Sequence, residues 1–144
     1  MAADDYIIRQ ISVFSENRPG RLAAIAHALE EECVNIFAFS IAEASGFGVV
    51  RALVDHPDRA YERLTSEGFN VAFTDVIAVR MRDEPGGLFE IANLLGEAGV
   101  NIEYSYAYSG LDGGVLILRV DRPEDAIAAI RGAGKELIAS SAFA

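Results

Sequence analysis

ISVFSENRPGRLAAIAHALEEECVNI, residues 11–36, is matched by IAVRMRDEPGGLFEIANLLGEAGVNI, residues 77–102, at a constant offset of about 66 residues. The match continues without a gap to Val71 against Leu137, with about 19 of 61 positions identical by direct count. Pro19-Gly20 falls on Pro85-Gly86, and Leu22, Ile25 and Leu29 fall on Leu88, Ile91 and Leu95. Val34-Asn35-Ile36 falls on Val100-Asn101-Ile102, and further on Val54-Asp55, Pro57 and Gly68 meet Val120-Asp121, Pro123 and Gly134. An internal repeat at one fixed period means two copies of one small unit. We place them at 6–75 and 76–144.

Each copy is close to the lower size at which a core sustains itself, so two such units are expected to lean on one another. Half of the 144 residues are hydrophobic, yet no run approaches the ~20 apolar residues that a bilayer-spanning helix needs. Met1-Ala2-Ala3-Asp4-Asp5 has neither the basic start nor the apolar stretch of a secretory signal, and the expectation is a cytoplasmic protein with no membrane partner. The net charge of −10 repels phosphate backbones, and the 12 Lys and Arg form no basic run, so nucleic acid is not an expected partner. One cysteine rules out an internal disulfide framework; Cys33 aligns with Gly99 and reads as a small residue at a helix end.

The same element order is legible twice. Residues 6–15 and 76–82 have strand character. After Pro19-Gly20, Leu22, Ile25, Ala26 and Leu29 follow the spacing of one helix face, repeated by Leu88, Ile91, Ala92 and Leu95, while Glu30, Glu31 and Glu32 point towards solvent. These helices should end near Cys33 and near Gly99, where glycine suits a left-handed cap. A hairpin follows in each copy, 34–43 with 47–54 around Ala44-Ser45-Gly46, and 100–108 with 114–120 around Ser109-Gly110-Leu111-Asp112-Gly113. Pro57 and Pro123 open second helices, and last strands are expected over 69–75 and 135–140. The order β-α-β-β-α-β with right-handed crossovers gives a four-stranded antiparallel sheet with both helices on one face. The fold class is α+β, two ferredoxin-like modules. Phe37, Phe39 and Ile41 alternate with Ile36, Ala38 and Ala42, and strands apolar on both faces need a second layer, from within the chain or from a second chain. A homodimer is the expectation.

The most chemically loaded segment is Glu16-Asn17-Arg18-Pro19-Gly20-Arg21. A glycine at a helix start permits close backbone approach, and the free N–H groups with the positive end of the helix dipole favour a carboxylate or phosphate. Asn17 adds a donor and an acceptor together, as does Asn35, which this topology is expected to place near the same mouth and which recurs as Asn101. Such amides suit a zwitterion. Pro-Gly after a strand is also an ordinary turn, and Asn at a strand start also caps local backbone.

Glu16-Asn17-Arg18-Pro19-Gly20-Arg21-Leu22 followed by Val34-Asn35-Ile36 resembles the ACT domain, a small-molecule-binding regulatory module of this topology, and within it the regulatory domain of phosphoglycerate dehydrogenases. The resemblance covers nearly the whole chain, twice. It implies an amino acid effector held where two modules adjoin, by the loop asparagine and the strand asparagine, here Asn17 and Asn35. Arg18, Pro19, Gly20, Arg21, Leu22 and Ile36 complete that set. The family's histidine just before the loop is Ser15 here. The second copy keeps Pro85, Gly86 and Asn101 but has Asp83 and Glu84 in place of Asn17 and Arg18, and adjacent carboxylates disfavour an effector carboxylate. The resemblance further implies edge-strand joining into an eight-stranded sheet, bringing the first loop towards 103–108. Tyr104, Tyr106 and Tyr108 share one face there. Two readings stand for them: aromatic filling of a dimer core, or walls around the effector side chain with Asp83 or Glu84 facing its ammonium.

His27 and His56 align with Asn93 and Arg122 and lack the paired ligands of a metal site. No Walker loop, Gly-x-Gly-x-x-Gly or Ser-His-Asp order is present. Neither a metal nor a cofactor is expected. Three function classes remain: a non-catalytic amino acid sensor, which the loop favours; a protein-interaction subunit that regulates a biosynthetic enzyme without its own ligand; and an acylphosphatase-like enzyme using Arg18 or Arg21.

Overall fold

The computed structural model describes residues 2–110 and 113–144. Leu111 and Asp112, in the expected second hairpin turn, lie outside them. After a 3-10 turn at Ala3–Tyr6 come β1 (Ile8–Glu16), α1 (Arg21–Glu31), β2 (Ile36–Ala44), β3 (Phe47–Val54), α2 (Pro57–Ser66) and β4 (Asn70–Met81). Then follow α3 (Gly87–Glu97), β5 (Ile102–Gly110), β6 (Gly113–Val120), α4 (Pro123–Gly132) and a 3-10 turn at Ser140–Phe143. Two compact units result: Arg9–Thr74 with Phe143–Ala144, and Asp75–Ala142 with the segment ending at Ile8.

In the first unit β3 lies between β2 and β1, antiparallel to both, so β2 is an edge strand. The first part of β4 lies beside β1, where Ser12 Oγ and Thr74 Oγ1 are 3.0 Å apart. Ile25, Ala28 and Leu29 of α1 and Ala60 and Leu64 of α2 pack on Ile11, Val13, Val50, Ala52 and Val54. Of the stripe read from the sequence on α1, Ile25 and Leu29 are buried while Leu22 and Ala26 are exposed, and Ala28 takes part instead; burying each Leu or Ile side chain contributes about 1.5–3 kcal/mol. The second unit repeats this with Ile91 and Leu95 of α3 and Ala126, Ile127 and Ile130 of α4 on Ile77, Val79, Leu116, Leu118 and Val120. This is the α+β, ferredoxin-like architecture, in duplicate.

Local signals act where they were expected. Cys33 and Gly99 follow α1 and α3 in the left-handed conformation, at φ 55° and 73°. Pro57 and Pro123 open α2 and α4. Ser45 and Gly46 turn the first hairpin with φ 53° and 86°, the pair of positive values a tight two-residue hairpin requires.

Five sequence expectations change, the first being that six strands form among the described residues where an eight-stranded sheet was expected. The strand expected from residue 6 begins at Ile8, because 3–6 form a 3-10 turn whose Tyr6, with Ile7, packs on the second unit's core. The two strands expected at 69–75 and 76–82 are one, β4, since nothing between Phe73 and Val76 breaks extended backbone. The strand expected at 135–140 is reduced to one bridge, Val79 to Leu137, before a 3-10 turn. Lastly, the register of β2 on β3 shifts between Ile36 and Ala38. Residue 37 is an extra residue at a bulge, which puts Ile36 (opposite Val54) on the same face as Phe39 (opposite Ala52). β5 has the same irregularity at Glu103, between Ile102 and Tyr104.

Candidate functional site

The loop between β1 and α1 is shaped by few contacts. The Asn17 backbone N–H donates to the Gly46 carbonyl at 2.8 Å, which ties the loop to the hairpin turn, and the Arg21 N–H donates to the Arg18 carbonyl at 3.2 Å. Ala24 is the first residue to bond back to Gly20, at 3.0 Å. The N–H groups of Leu22 and Ala23 therefore have no backbone acceptor among the described residues, and Gly20 offers no capping side chain. Open N–H groups at a helix start are an anion-binding arrangement. The Asn17 side chain is exposed and makes no hydrogen bond among the described residues.

The two arginines of the loop are held by protein groups. Arg18 pairs with Glu16 at 3.0 Å. Arg21 donates from Nε to Ser15 Oγ at 3.0 Å and lays its guanidinium 4.6 Å from the centre of the Phe69 ring. Ser15, at the position of the family's histidine, is thus engaged locally. Pro19 is exposed, and Leu22 keeps 38% of its surface accessible.

Asn35 is not at the same mouth. Its backbone N–H donates to Asp55 Oδ1 at 2.9 Å while its carbonyl accepts from the Asp55 N–H at 3.2 Å, a clamp that fixes the entry into β2. Asn35 lines a shallow hollow with Ala26, Glu30, Cys33 and Ile36, at the C-terminal end of α1. Asn17 stands before the N-terminal end of that helix, whose 11 residues span about 16 Å. One copy of the module does not bring the two amides together. Ile36 packs on the core, and Phe39 and Ile41 beyond it on the edge strand are 52% and 43% exposed.

The second unit repeats the backbone and changes the chemistry. Asn101 and Asp121 form the same clamp at 2.9 and 3.1 Å. Pro85 and Gly86 form the same turn, but Asp83 accepts from Ser109 Oγ at 2.9 Å and Glu84 is bound by Arg82. Tyr104, Tyr106 and Tyr108 do share a face, opposite Arg119, Ile117 and Val115. It is the face away from α3 and α4, whereas Ser109 aligns with Gly114 and Met81 on the helix side. Within the unit the tyrosines and Asp83 are therefore separated by the sheet. Burial pushes the Tyr108 phenol above its ordinary range, with the Arg80 guanidinium opposing.

An ionic cluster escaped the sequence reading. Glu90 on α3 receives Lys135 Nζ at 2.7 Å and is bound by Arg82 from the end of β4. These partners, Lys135 first and then Arg82, hold its carboxyl below the usual carboxylate range. The available signal was divergence between the copies, since Arg82, Glu90 and Lys135 align with Glu16, Ala24 and Phe69. Among the described residues no helix is long and apolar enough to cross a membrane, and no group of three or more His, Cys, Asp or Glu side chains is placed to hold a metal.

Two ferredoxin-like modules, the first with an amide-bearing loop at its helix start, define a class of paired α+β folds. The chain belongs to the ACT domain pair family, whose model matches residues 6–142. It is similar to the crystal structure of protein BT0572 from Bacteroides thetaiotaomicron, at 32% identity over 96% of each chain and a TM-score of 0.90. It also shares its fold with the ligand-free regulatory subunit of aspartate kinase from Thermus thermophilus, at 20% identity over 92% of this chain and 94% of that one, TM-score 0.66. The regulatory subunit of aspartate kinase from Thermus flavus is alike at 15% identity over 91% and 94%, TM-score 0.63. Comparison with curated proteins gives no match.

Proposed function

We propose that this ACT domain pair is a non-catalytic sensor of a free amino acid, with its effector site at the Asn17 loop of the first module. The observation that carries the reading is the Asn17 amide, exposed and without a hydrogen-bonding partner among the described residues, beside the open Leu22 and Ala23 N–H groups. Those N–H groups suit an α-carboxylate, and an amide that donates and accepts suits the ammonium beside it. Arg18 and Arg21 are already engaged with Glu16, Ser15 and Phe69, which speaks against the phosphate-cradling arginine of an acylphosphatase-like enzyme.

Since α1 separates Asn17 from Asn35, a second copy of the chain completes the site in this reading. β2 is an edge strand, and two β2 strands paired antiparallel about a two-fold axis set the start of one beside the end of the other. That brings Asn35 of one protomer towards the Asn17 loop of its partner, and it covers the exposed Phe39 and Ile41. Output then passes to a partner enzyme of amino acid biosynthesis, a role consistent with the regulatory subunits that share the fold.

The test is a thermal-shift screen of the twenty amino acids at millimolar concentration, on the wild type and on Asn17→Ala and Asn35→Ala, with light scattering of each. An effector at about 100 times its Kd stabilises by roughly 2.7 kcal/mol, which a melting curve resolves. A response to one amino acid, lost in both variants while the dimer persists, is the expected result. A monomer at micromolar concentration removes the two-copy site, and a flat response to all twenty favours a ligand-free interaction subunit.

A further inference from the structure

The two units carry the same loop but not the same space beneath it. In the first, the Arg21 side chain leaves the start of α1 and lies between Ser15 and Phe69. At the constant offset those three positions are Gly87, Met81 and Lys135 in the second unit. Where the first unit has a guanidinium over a ring, the second has a cavity of about 350 Å³ lined by Arg82, Asp83, Gly87, Glu90, Gly114 and Lys135, among others. All its lining residues belong to that one unit.

The backbone holds this cavity open. A Cβ on Gly87 would lie 2.0 Å from the Arg82 carbonyl oxygen, so no residue with a side chain can fill the space from the position Arg21 occupies in the other copy. A Cβ on Gly114 would lie 2.7 Å from the Met81 carbonyl oxygen, which closes a second route. Side chains from three different elements then charge the walls. The helix-side lining contains two cations, Arg82 and Lys135, and two carboxylates, Asp83 and Glu90, whereas Arg80 lies on the tyrosine face and pairs with Glu136. The corresponding positions of the first unit are Glu16 and Phe69, and Asn17 and Ala24, which carry a single charge between them.

A balanced lining of both signs selects against a ligand with net charge, because either ion would meet repulsion from half of the wall. It favours a molecule that carries both charges close together. Lys135 and Arg82 share Glu90, and Arg82 also holds Glu84, which engages one of the ammonium's three donors and three of the guanidinium's five and leaves two on each for an incoming carboxylate. Asp83 takes one hydrogen bond, at 2.9 Å from Ser109, and its other oxygen remains an acceptor for an ammonium. The volume falls at the lower end of ligand pockets and accommodates a free amino acid.

We infer that the second unit has its own binding site for a free, net-neutral α-amino acid, in the cavity between Arg82, Asp83, Glu90 and Lys135. The site rests on no property of the Asn17 loop, so an ACT pair built this way reads two amino acid occupancies through two chemically different sites.

The test uses the full 15N-labelled chain, whose 15.5 kDa suits amide correlation spectra. The net-neutral amino acids are titrated one at a time, with L-lysine, L-glutamate and inorganic phosphate as charge controls. Gly114 and Gly134, which line the cavity, report on it, and Gly20 and Gly48 report on the Asn17 loop. A net-neutral amino acid is expected to move Gly114 and Gly134 saturably in both the wild type and Asn17→Ala. Glu90→Ala with Lys135→Phe, which installs the first unit's residues, should weaken that binding at least tenfold. Lys135→Met, which keeps an unbranched side chain one atom shorter and drops the charged donor, should do the same and serves if the double variant does not fold. Shifts confined to Gly20 and Gly48 would overturn this inference and leave the Asn17 sensor standing. The inference also falls if no probe moves Gly114 and Gly134, if the variants bind as well as the wild type, or if a charged control binds better than every neutral amino acid.

Discussion

Replacing a helical glycine by alanine ordinarily stabilises a protein, by up to about 1 kcal/mol. In α3 the structure divides that rule between two positions of one helix. At Gly96 a Cβ meets nothing within 4 Å, so Gly96→Ala gains helix propensity alone and should stabilise by roughly 0.5–1 kcal/mol. At Gly87 the Cβ would sit 2.0 Å from the Arg82 carbonyl oxygen and 3.0 Å from its carbon, so the loop must move by more than an ångström. Overpacking of that order costs about 1–3 kcal/mol or more, and backbone has no rotamer to yield. The steric term exceeds the propensity term, and Gly87→Ala should be net destabilising by about 2 kcal/mol. Equilibrium urea unfolding followed by tyrosine fluorescence is the assay, because Tyr6, Tyr104, Tyr106 and Tyr108 all belong to the second unit and only Tyr61 to the first. The midpoint should fall for Gly87→Ala and rise for Gly96→Ala at unchanged m-value. Midpoints that move together in either direction would refute the claim that backbone approach, and not helix propensity, decides residue 87.

Asp121→Ala removes the clamp on Asn101 and should cost about 1 kcal/mol, read as a lower thermal midpoint, while Asp121→Asn, which keeps an acceptor, should cost less. Glu90 has a folded pKa held below its unfolded one, so its contribution is present above the ordinary carboxylate range and is lost as pH falls from there through the depressed folded value. The melting temperature of Glu90→Gln should accordingly be lower than that of the wild type near neutrality and converge with it in acid; parallel curves would contradict the assignment.

The helices were the most legible part of this chain. Ile25 and Leu29, and Ile91 and Leu95, announce a buried stripe through spacing alone, because a helix closes its hydrogen bonds within a few residues and its faces follow from local sequence. Leu22, Ala26 and Leu88, read onto the same faces, stay exposed at the helix starts and margins. The strands were less so. Period-two reading carried Phe37 and Phe39 onto one face, and the bulge, which depends on how β2 meets β3, reversed that relation. The strand expected at 135–140 fared worse, since a last strand exists only as far as its neighbour offers partners, and here one bridge is all that forms.

The candidate site divides in the same way. Sequence by itself determined that there are two copies, that Pro-Gly precedes the first helix of each, and that Asn35 recurs as Asn101 while Asn17 is replaced by Asp83. These are matters of backbone conformation and of residue type at fixed offsets. Only tertiary structure decided that α1 stands between Asn17 and Asn35, that the tyrosine face and Asp83 lie on opposite sides of a sheet, and that Glu90 gathers Arg82 and Lys135 from distant parts of the chain. Whether a space is filled or open depends on atoms remote in sequence meeting at one place. The Arg21 side chain over Phe69, and the cavity left at Gly87, follow from such meetings and not from any local pattern.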